Sequence, residues 1–488
     1  MRLSEVLRGI NAEHSLSECE VTGISCDSRS VQVGDVFICI KGLKSDAHDL
    51  ITDEIENKAA AIITERDIGR KNQVIVKNTR EALALVASNF YGNKKNKLKL
   101  IAVTGTNGKT TVSTLIKQVL DDMGIPAGLI GTVRYEFSDY SLAARYTTPD
   151  PLELHALFDK MFRSGVKYVV MEASSHALSQ LRLFGIEFDL ALFTNLTRDH
   201  LDFHGDMENY YLAKKQLFLQ SKSSLVNIDD EYGRRLYKEL KEEGRPVRSF
   251  SIDNIEADYM STNIRNTEKG VSFELVSVGN IGRISLSTPG MFSVSNGILA
   301  ASALMEAGFS LSDISASLMK SRGVKGRSEV IPTGRDFTVI CDYAHTPDSL
   351  EKIFSSVKQY AGGRVVGLFG AAGMRDSKKR ALMGEKVALF ADEIIITSDN
   401  PRSEDPFLIA SQVEEGVKKS GKPYKVILDR YEAIFYAIKN ARPHDVIVLA
   451  GKGHEDYQVL DGVSVYFDER EIVREAINTY YGSSEGER

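Results

Sequence analysis

The sequence predicts an α/β protein built on parallel sheets and organised as about three domains. Three observations carry this expectation. The chain has 488 residues, 42% hydrophobic and 26% charged, a globular composition with length for about three domains of ~150 residues each. Short apolar runs alternate with stretches of helical periodicity, the pattern of strand–helix–strand units. From about residue 98 onward, nearly every apolar run ends abruptly in Gly, Asp, Asn, Thr, His or Arg. Examples are "LIAV" into "TGTNGKTT", "YVVM" into "EASSH", "ALFT" into "NLTRDH" and "EIIIT" into "SDNPR". In open parallel sheets ligands bind beyond the carboxyl ends of the strands, so these polar clusters fall on one edge of each sheet.

The blocks follow in order. Residues 1–97 carry the apolar runs "DVFICI", "AAAIIT" and "NQVIV" and end in the polar, basic segment "GNKKNKLK", which reads as a linker. Residues 98–330 form a second block that closes with the Gly- and charge-rich "SRGVKGRSEV". Residues 331–488 hold "FTVIC", "RVVGLFG", "ADEIIIT", "YKVIL" and "HDVIVLAG" with helical patterns between them.

Composition excludes several classes. A net charge of −6 gives no general affinity for nucleic acid. The opening "MRLSEVLRGINAEHSLSECE" is charged every few residues and lacks the apolar core of a signal peptide. No run approaches the ~18–20 apolar residues of a membrane helix. Cys19, Cys26, Cys39 and Cys341 have no CxxC spacing, which favours reduced thiols over disulfides or a zinc site. The expectation is a cytoplasmic protein without nucleic-acid partners or membrane insertion.

"AVTGTNGKTT" (102–111) sets Gly105, Thr106, Asn107, Gly108, Lys109, Thr110 and Thr111 between a strand and a helix. The helix is marked by Val112, Leu115, Ile116, Val119 and Leu120 on one face and stopped by Gly124 and Pro126. Glycines that free backbone N–H groups, a helix N-terminus, a lysine for the outer phosphates and a hydroxyl for Mg²⁺ make a phosphate-binding loop. Only two residues separate its glycines, fewer than in the usual loop, and no N-K-x-D guanine-reading motif accompanies it. These residues predict a bound nucleoside triphosphate. Glu172 in "MEASSH" ends a strand and offers a hard oxygen for a metal, and His200 in "TNLTRDHLDFH" offers a nitrogen. Each is otherwise an ordinary polar loop residue.

From "DSR" (27–29) to "GKGHEDYQ" (451–458), the order and spacing of these motifs resemble the Mur ligase family, which joins amino acids to the UDP-MurNAc stem in peptidoglycan synthesis. The resemblance implies three α/β domains: 1–97 for the UDP-sugar, 98–330 as a central P-loop ATPase, and 331–488 as a Rossmann-like domain for the incoming amino acid. It implies an ATP- and Mg²⁺-dependent ligase, working as a monomer, that adds meso-diaminopimelate to the D-glutamate of UDP-MurNAc-L-Ala-D-Glu through an acyl phosphate. Bringing three anions together calls for Mg²⁺ and cations to offset repulsion.

The same resemblance assigns roles by position. Lys109, Glu172, His200 and Lys214 are the catalytic set, with Thr111, Glu172, His200 and Lys214 at the metals. Lys214 in "NYYLAKKQLF" would carry a CO₂-derived carbamate. Asn296 in "SVSNGILAASAL", at a predicted helix start where it also reads as an N-cap, and Arg327, Asp342 and His345 would reach the nucleotide. Ser28, Thr147, Thr148, Ser174, Gln180 and Arg182 would bind the UDP-sugar dipeptide. Arg375, Asp399, Asn400, Arg402, Gly451 and Glu455 would bind diaminopimelate. An arginine suits its distal carboxylate, which lysine lacks. Ala372 and Met374, beside Arg375, stand where many relatives have Gly and Asp. L-lysine as acceptor, a folylpolyglutamate-synthetase-like ligase, and a binding module that keeps the fold without catalysis are the alternatives.

Overall fold

The computed structural model describes residues 1–12, 16–42, 45–321 and 323–482. They form two compact units. One comprises Met1–Phe250 with Glu256–Asp258 and Ser302–Ala307; the other comprises Ser251–Ile255, Tyr259–Ala301 and the chain from Gly308 onward.

In the first unit, strands Gly23–Ser25, Asp35–Ile38, Ala61–Thr64 and Gln73–Ile75 form a wholly parallel sheet in that order. The run "DVFI", Asp35 included, is buried at every position, as expected of a strand covered on both faces. A larger sheet follows in the order Val247–Ser251, Ser221–Asn227, Phe188–Phe193, Lys99–Thr104, Tyr168–Glu172, Ala127–Ile130, with every neighbouring pair parallel. Beyond Ala127–Ile130 the antiparallel strands Arg134–Phe137 and Tyr140–Ala143 extend this edge. Leu100, Ala102, Val169 and Met171 pack one face of the sheet against Leu154, Leu157, Phe158 and Met161 of helix Pro151–Arg163. That helix starts where "TTPDP" places Asp150 as N-cap and Pro151 in the first turn. Helix Lys109–Asp122 buries the predicted Val112, Leu115, Ile116, Val119 and Leu120, and Gly124, at φ 69°, makes the left-handed turn that ends it.

The second unit contains an antiparallel meander, Tyr259–Thr267, Gly270–Ser277 and Asn280–Leu286. A six-stranded sheet follows in the order Glu329–Ile331, Thr338–Asp342, Val446–Ala450, Val365–Phe369, Glu393–Ile396, Tyr424–Val426. Only the first pair is antiparallel. Side chains alternate between two cores. Ile340, Ile394 and Ile396 join helices Pro347–Tyr360, Lys378–Phe390 and Pro406–Lys418 on one face. Val339, Cys341 and Ile395 join helices Arg430–Lys439 and Glu469–Tyr481 on the other. Full burial of each of the three isoleucines at 394–396 contributes roughly 1.5–3 kcal/mol. This doubly covered parallel sheet matches the expected α/β class. The antiparallel strands were not anticipated. Among the described residues no helix is long and apolar enough to cross a membrane.

Candidate active site

The phosphate loop leaves strand Lys99–Thr104 and enters helix Lys109–Asp122. Gly105 lies at φ 148° with its α-carbon against strand Phe188–Phe193, so a Cβ there would fall 1.8 Å from Thr194 Oγ1. Gly108, at φ 87°, is the helix N-cap. Only glycine adopts these conformations in so little space. The Asn107 N–H donates to Asn195 Oδ1 (3.0 Å) and Thr106 N–H to Asn195 O (2.8 Å), which pins the loop across the neighbouring strand end. Lys109 Nζ folds back onto Gly105 O and Thr106 O, both at 2.9 Å. Asn107 Nδ2 is buried without a hydrogen-bond partner, a cost normally explained by a ligand or water.

Glu172 closes strand Tyr168–Glu172 and is 1% exposed. Its carboxylate accepts from Thr132 N (2.8 Å), Thr132 Oγ1 (2.9 Å) and Thr110 Oγ1 (3.1 Å). The hydroxyl that meets this carboxylate is therefore Thr110's, the residue directly after the loop lysine, and not that of Thr111, half-buried one place further on. Among the described residues no three His, Cys, Asp or Glu side chains gather as a metal cage. Mg²⁺ takes one or two carboxylates and completes its shell with waters and substrate phosphates. One buried carboxylate and one hydroxyl at the mouth of a phosphate loop fit that ion.

Lys214, on helix Met207–Leu219, is 1% exposed, and its Nζ donates to Gly105 O at 2.8 Å. The Tyr210 ring lies beneath it, 4.7 Å to the centroid. Burial holds its ammonium well below the usual lysine range, and Lys109 adds repulsion. Burial of this kind favours the neutral amine over the ammonium. His200 sits in the left-handed conformation, φ 53°, ahead of the short helix Leu201–His204. Its Nε2 lies 3.5 Å from Asp199 Oδ2 and its ring meets His176 edge-on at 4.8 Å. Burial lowers the His200 imidazole, opposed by Asp199. Burial and then the His200 and His204 charges lower His176 to about 4. Both shifts favour the neutral imidazole, which offers a nitrogen lone pair for a metal.

Thr147, Thr148, Ser174, Gln180 and Arg182 gather beside the same strand end. Thr148 Oγ1 donates to Glu172 O (2.7 Å) and accepts from Ser174 N (3.0 Å), and Thr147 Oγ1 lies 3.1 Å from Thr132 Oγ1. Arg182 donates to Thr148 O (2.8 Å) and, through Nη2, to Gln180 Oε1 (2.8 Å). Its guanidinium covers the Tyr146 ring at 5.0 Å. Ser28 is half-buried on the loop after strand Gly23–Ser25, between the paired Asp27 and Arg29. Burial, and then the Asp150 charge, raise the neighbouring Cys26 thiol to about 11.

The remaining sequence-predicted residues lie in the second unit. Asn296 is the sixth residue of helix Met291–Glu306, which corrects the N-cap expectation: "TPGMFSVSN" starts its helix at Met291, directly after Gly290 (φ 104°). Asp342 ends its strand and accepts from Ser328 N (2.6 Å) and Ala344 N (2.7 Å), which fixes the turn carrying Arg327. Burial raises its carboxyl. Arg327 lies over the Tyr343 ring at 4.9 Å, and its Nε is buried without a partner. His345 is exposed, with Nδ1 2.7 Å from Tyr343 O.

Asp399 and Asn400 follow strand Glu393–Ile396 and are buried. Asn400 Nδ2 donates to Glu455 Oε2 (3.0 Å), and its Oδ1 accepts from Lys452 Nζ (3.1 Å) and Val459 N (2.9 Å). Lys452 also donates to Glu455 at 2.7 Å. A Cβ on Gly451 would sit 2.9 Å from Asp399 Oδ2. Burial raises Asp399, opposed by Arg430 and Lys452. Arg402 is half-buried at φ 58°, its Nη1 donating to Gly373 O (2.6 Å). Arg375 is exposed on the facing loop. Thr110, Glu172, Thr148, Ser174, Gln180 and Arg182 are thus joined at one strand end, and Asn400 and Glu455 at another. Thr132, Tyr210, Lys452 and Arg430 were not singled out from the sequence. The lysine of "GKGHE" looks in the sequence like any surface lysine, and only its burial sets it apart.

Residues 103–305 match the Mur ligase middle domain, 326–453 the Mur ligase glutamate ligase domain, and 20–91 the Mur ligase family catalytic domain. The chain is 44% identical over 482 residues, 98% of its length and 99% of the relative's, to a UDP-N-acetylmuramoyl-L-alanyl-D-glutamate–2,6-diaminopimelate ligase of Caldanaerobacter subterraneus. It is 42% identical to the protein of that name from Clostridium tetani, covering 99% of this chain and 100% of the relative. A solved structure of a ligase with the same name superposes with a TM-score of 0.75 at 32% identity, over 98% of this chain and 99% of that one.

Proposed function

The chain belongs to the Mur ligase family, and on that premise we propose that it adds meso-diaminopimelate to the D-glutamate of UDP-MurNAc-L-Ala-D-Glu, using ATP, in peptidoglycan synthesis. The observation that carries the reading is the meeting of Lys109 and the buried amine of Lys214 on Gly105 O, together with the Thr110–Glu172 pair at the start of the same loop's helix.

The reaction transfers the ATP γ-phosphoryl to the glutamate carboxylate, giving an acyl phosphate and ADP. The acceptor amine then attacks the carbonyl carbon and phosphate leaves. The loop N–H groups and Lys109 receive the phosphates, so that charge spread over the phosphoryl oxygens meets preorganised donors. Glu172 and Thr110 would hold Mg²⁺, which would supply positive charge to offset the negative charge of the phosphates. His200 would serve a second metal. Lys214 would join CO₂ as a carbamate: its nitrogen forms the C–N bond, a proton is released, and the buried amine becomes an anionic group. The neutral amine is the form that adds CO₂, and burial shifts the lysine toward it. Ser28, Thr147, Thr148, Ser174, Gln180 and Arg182 would bind the UDP-sugar dipeptide; their hydroxyls, amide and one guanidinium suit a sugar bearing carboxylates. Asn296, Arg327, Asp342 and His345 would contact the nucleotide.

Diaminopimelate is zwitterionic at both ends. Arg402 and Arg375 would take carboxylates, and Glu455 with the Gly451 backbone would meet the distal ammonium. The reading divides the chain at 97 and 330 into UDP-sugar, ATP and amino-acid domains, and includes a cytoplasmic monomer, which sedimentation and fractionation check. The reaction itself is tested by supplying substrates one at a time. ADP is expected to accumulate only with both UDP-MurNAc-L-Ala-D-Glu and meso-diaminopimelate, alongside a UDP-sugar product heavier by one diaminopimelate residue. ADP formation without the nucleotide sugar contradicts it.

A further inference from the structure

Arg380, on helix Lys378–Phe390, is 1% exposed, although nothing in its sequence setting "SKKRALMGE" marks it for burial. Its Nη1 donates to Glu404 Oε1 (2.6 Å) and Gln412 Oε1 (2.8 Å). Its Nη2 donates to Glu404 Oε2 (2.8 Å) and Ala372 O (3.2 Å). Glu404 Oε2 in turn accepts from Met374 N at 2.9 Å. Two loops are thereby joined. One runs from Gly370 to Asp376 and carries Arg375; the other runs from Asp399 to Glu404 and carries Arg402.

Further bonds zip the same loops together. Gly373 N donates to Asn400 O (3.0 Å), and Arg402 Nη1 donates to Gly373 O (2.6 Å). The backbones approach so closely that a Cβ on Gly373 would lie 1.9 Å from Pro401 O. Met374 and Arg402 both hold left-handed conformations, φ 56° and 58°, which non-glycine residues keep only where surroundings enforce them. Ala372 enters the clamp through its carbonyl and Met374 through its N–H, while the Met374 side chain is exposed. The two departures from the family pattern therefore leave the clamp intact.

We propose that the Arg380–Glu404 pair is a positioning device that sets the two guanidinium groups of the acceptor subsite, Arg375 and Arg402, for a ligand with a distal carboxylate. The inference rests on the acceptor reading given above. A bidentate guanidinium–carboxylate pair fixes direction as well as distance, so neither partner can be shortened without moving a loop. Arg380 hydrogen bonding, then the Met374 N–H, holds Glu404 down to about 2, so the pair stays charged at any working pH.

Glu404→Gln keeps the length and removes the charge; Arg380→Lys keeps the charge and removes the fork. With the full chain, both are expected to raise the KM for meso-diaminopimelate by about tenfold or more, leaving the KM for ATP unchanged. The ratio of kcat/KM for meso-diaminopimelate over L-lysine is expected to fall in both, because meso-diaminopimelate has two carboxylates that can lose a partner and L-lysine only one. A purely structural role would lower thermal stability or depress both acceptors equally, and an unchanged ratio in both folded variants overturns the proposal. If the wild type forms no product with meso-diaminopimelate, the acceptor reading itself fails and takes this proposal with it.

Discussion

Replacing Thr110 by valine isolates one hydrogen bond at the reacting end of the nucleotide. Valine nearly matches threonine in shape, so the buried site keeps its packing and loses only the hydroxyl. That hydroxyl donates to Glu172 Oε2 at 3.1 Å, while Glu172 keeps both bonds from Thr132. A hydrogen bond to a charged group contributes about 1.5–3 kcal/mol net. At 1.36 kcal/mol per decade this corresponds to a loss of about 10- to 150-fold in kcat/KM for ATP. The assay is ADP release at saturating nucleotide sugar and acceptor, with MgCl₂ titrated. Thr110→Val is expected to need more Mg²⁺, Thr110→Ser to stay within about threefold of wild type, and Thr111→Val to cost less than Thr110→Val. Wild-type kcat/KM in Thr110→Val, or a larger defect in Thr111→Val, would refute the reasoning and return the metal hydroxyl to Thr111.

Three other outcomes are expected. Lys214→Ala should lower turnover by about a hundredfold or more and recover in part with short carboxylic acids; a fully active variant removes the carbamate role. Arg402→Ala should raise the KM for meso-diaminopimelate while the KM for ATP holds, and equal loss of both would place its effect in folding. His155 is 1% exposed, and burial, then Lys95, lowers its imidazole to about 3. The unfolded chain, titrating near 6.5, binds the extra proton first, so stability falls as pH drops below that value, by about 2 kcal/mol at pH 5. His155→Leu should shrink the stability difference between pH 7.5 and pH 5 by about that amount in urea unfolding; an unchanged pH dependence would show that His155 is not the group.

Legibility in the sequence followed the range of the interactions. The phosphate loop is local, and strand, glycines, lysine and the apolar face of helix Lys109–Asp122 could all be read from ten or so consecutive positions. The parallel sheets were legible because strands such as Val446–Ala450, buried at every position, are continuous apolar runs. The meander strand "YMSTNIRNT" was not, because its alternating exposure leaves mostly polar letters. Glu172 and His200 could be named as polar residues at strand ends, but their roles came from likeness to a family. The charge pairs were invisible. Arg380 meets Glu404, and Arg430, wholly buried, meets Glu469, across separations at which neither propensity nor periodicity carries information. Thr110 and Thr111 are adjacent, equally hydroxylated letters. Only the helix phase decides which one faces Glu172.

The most direct test of the account is an acceptor comparison. Initial rates of amide formation are measured with the wild-type chain, ATP, Mg²⁺ and UDP-MurNAc-L-Ala-D-Glu, offering meso-diaminopimelate or L-lysine separately and then in competition. The account predicts that meso-diaminopimelate is used with the higher kcat/KM and dominates the product in competition. Equal use of the two, or a preference for lysine, would contradict it.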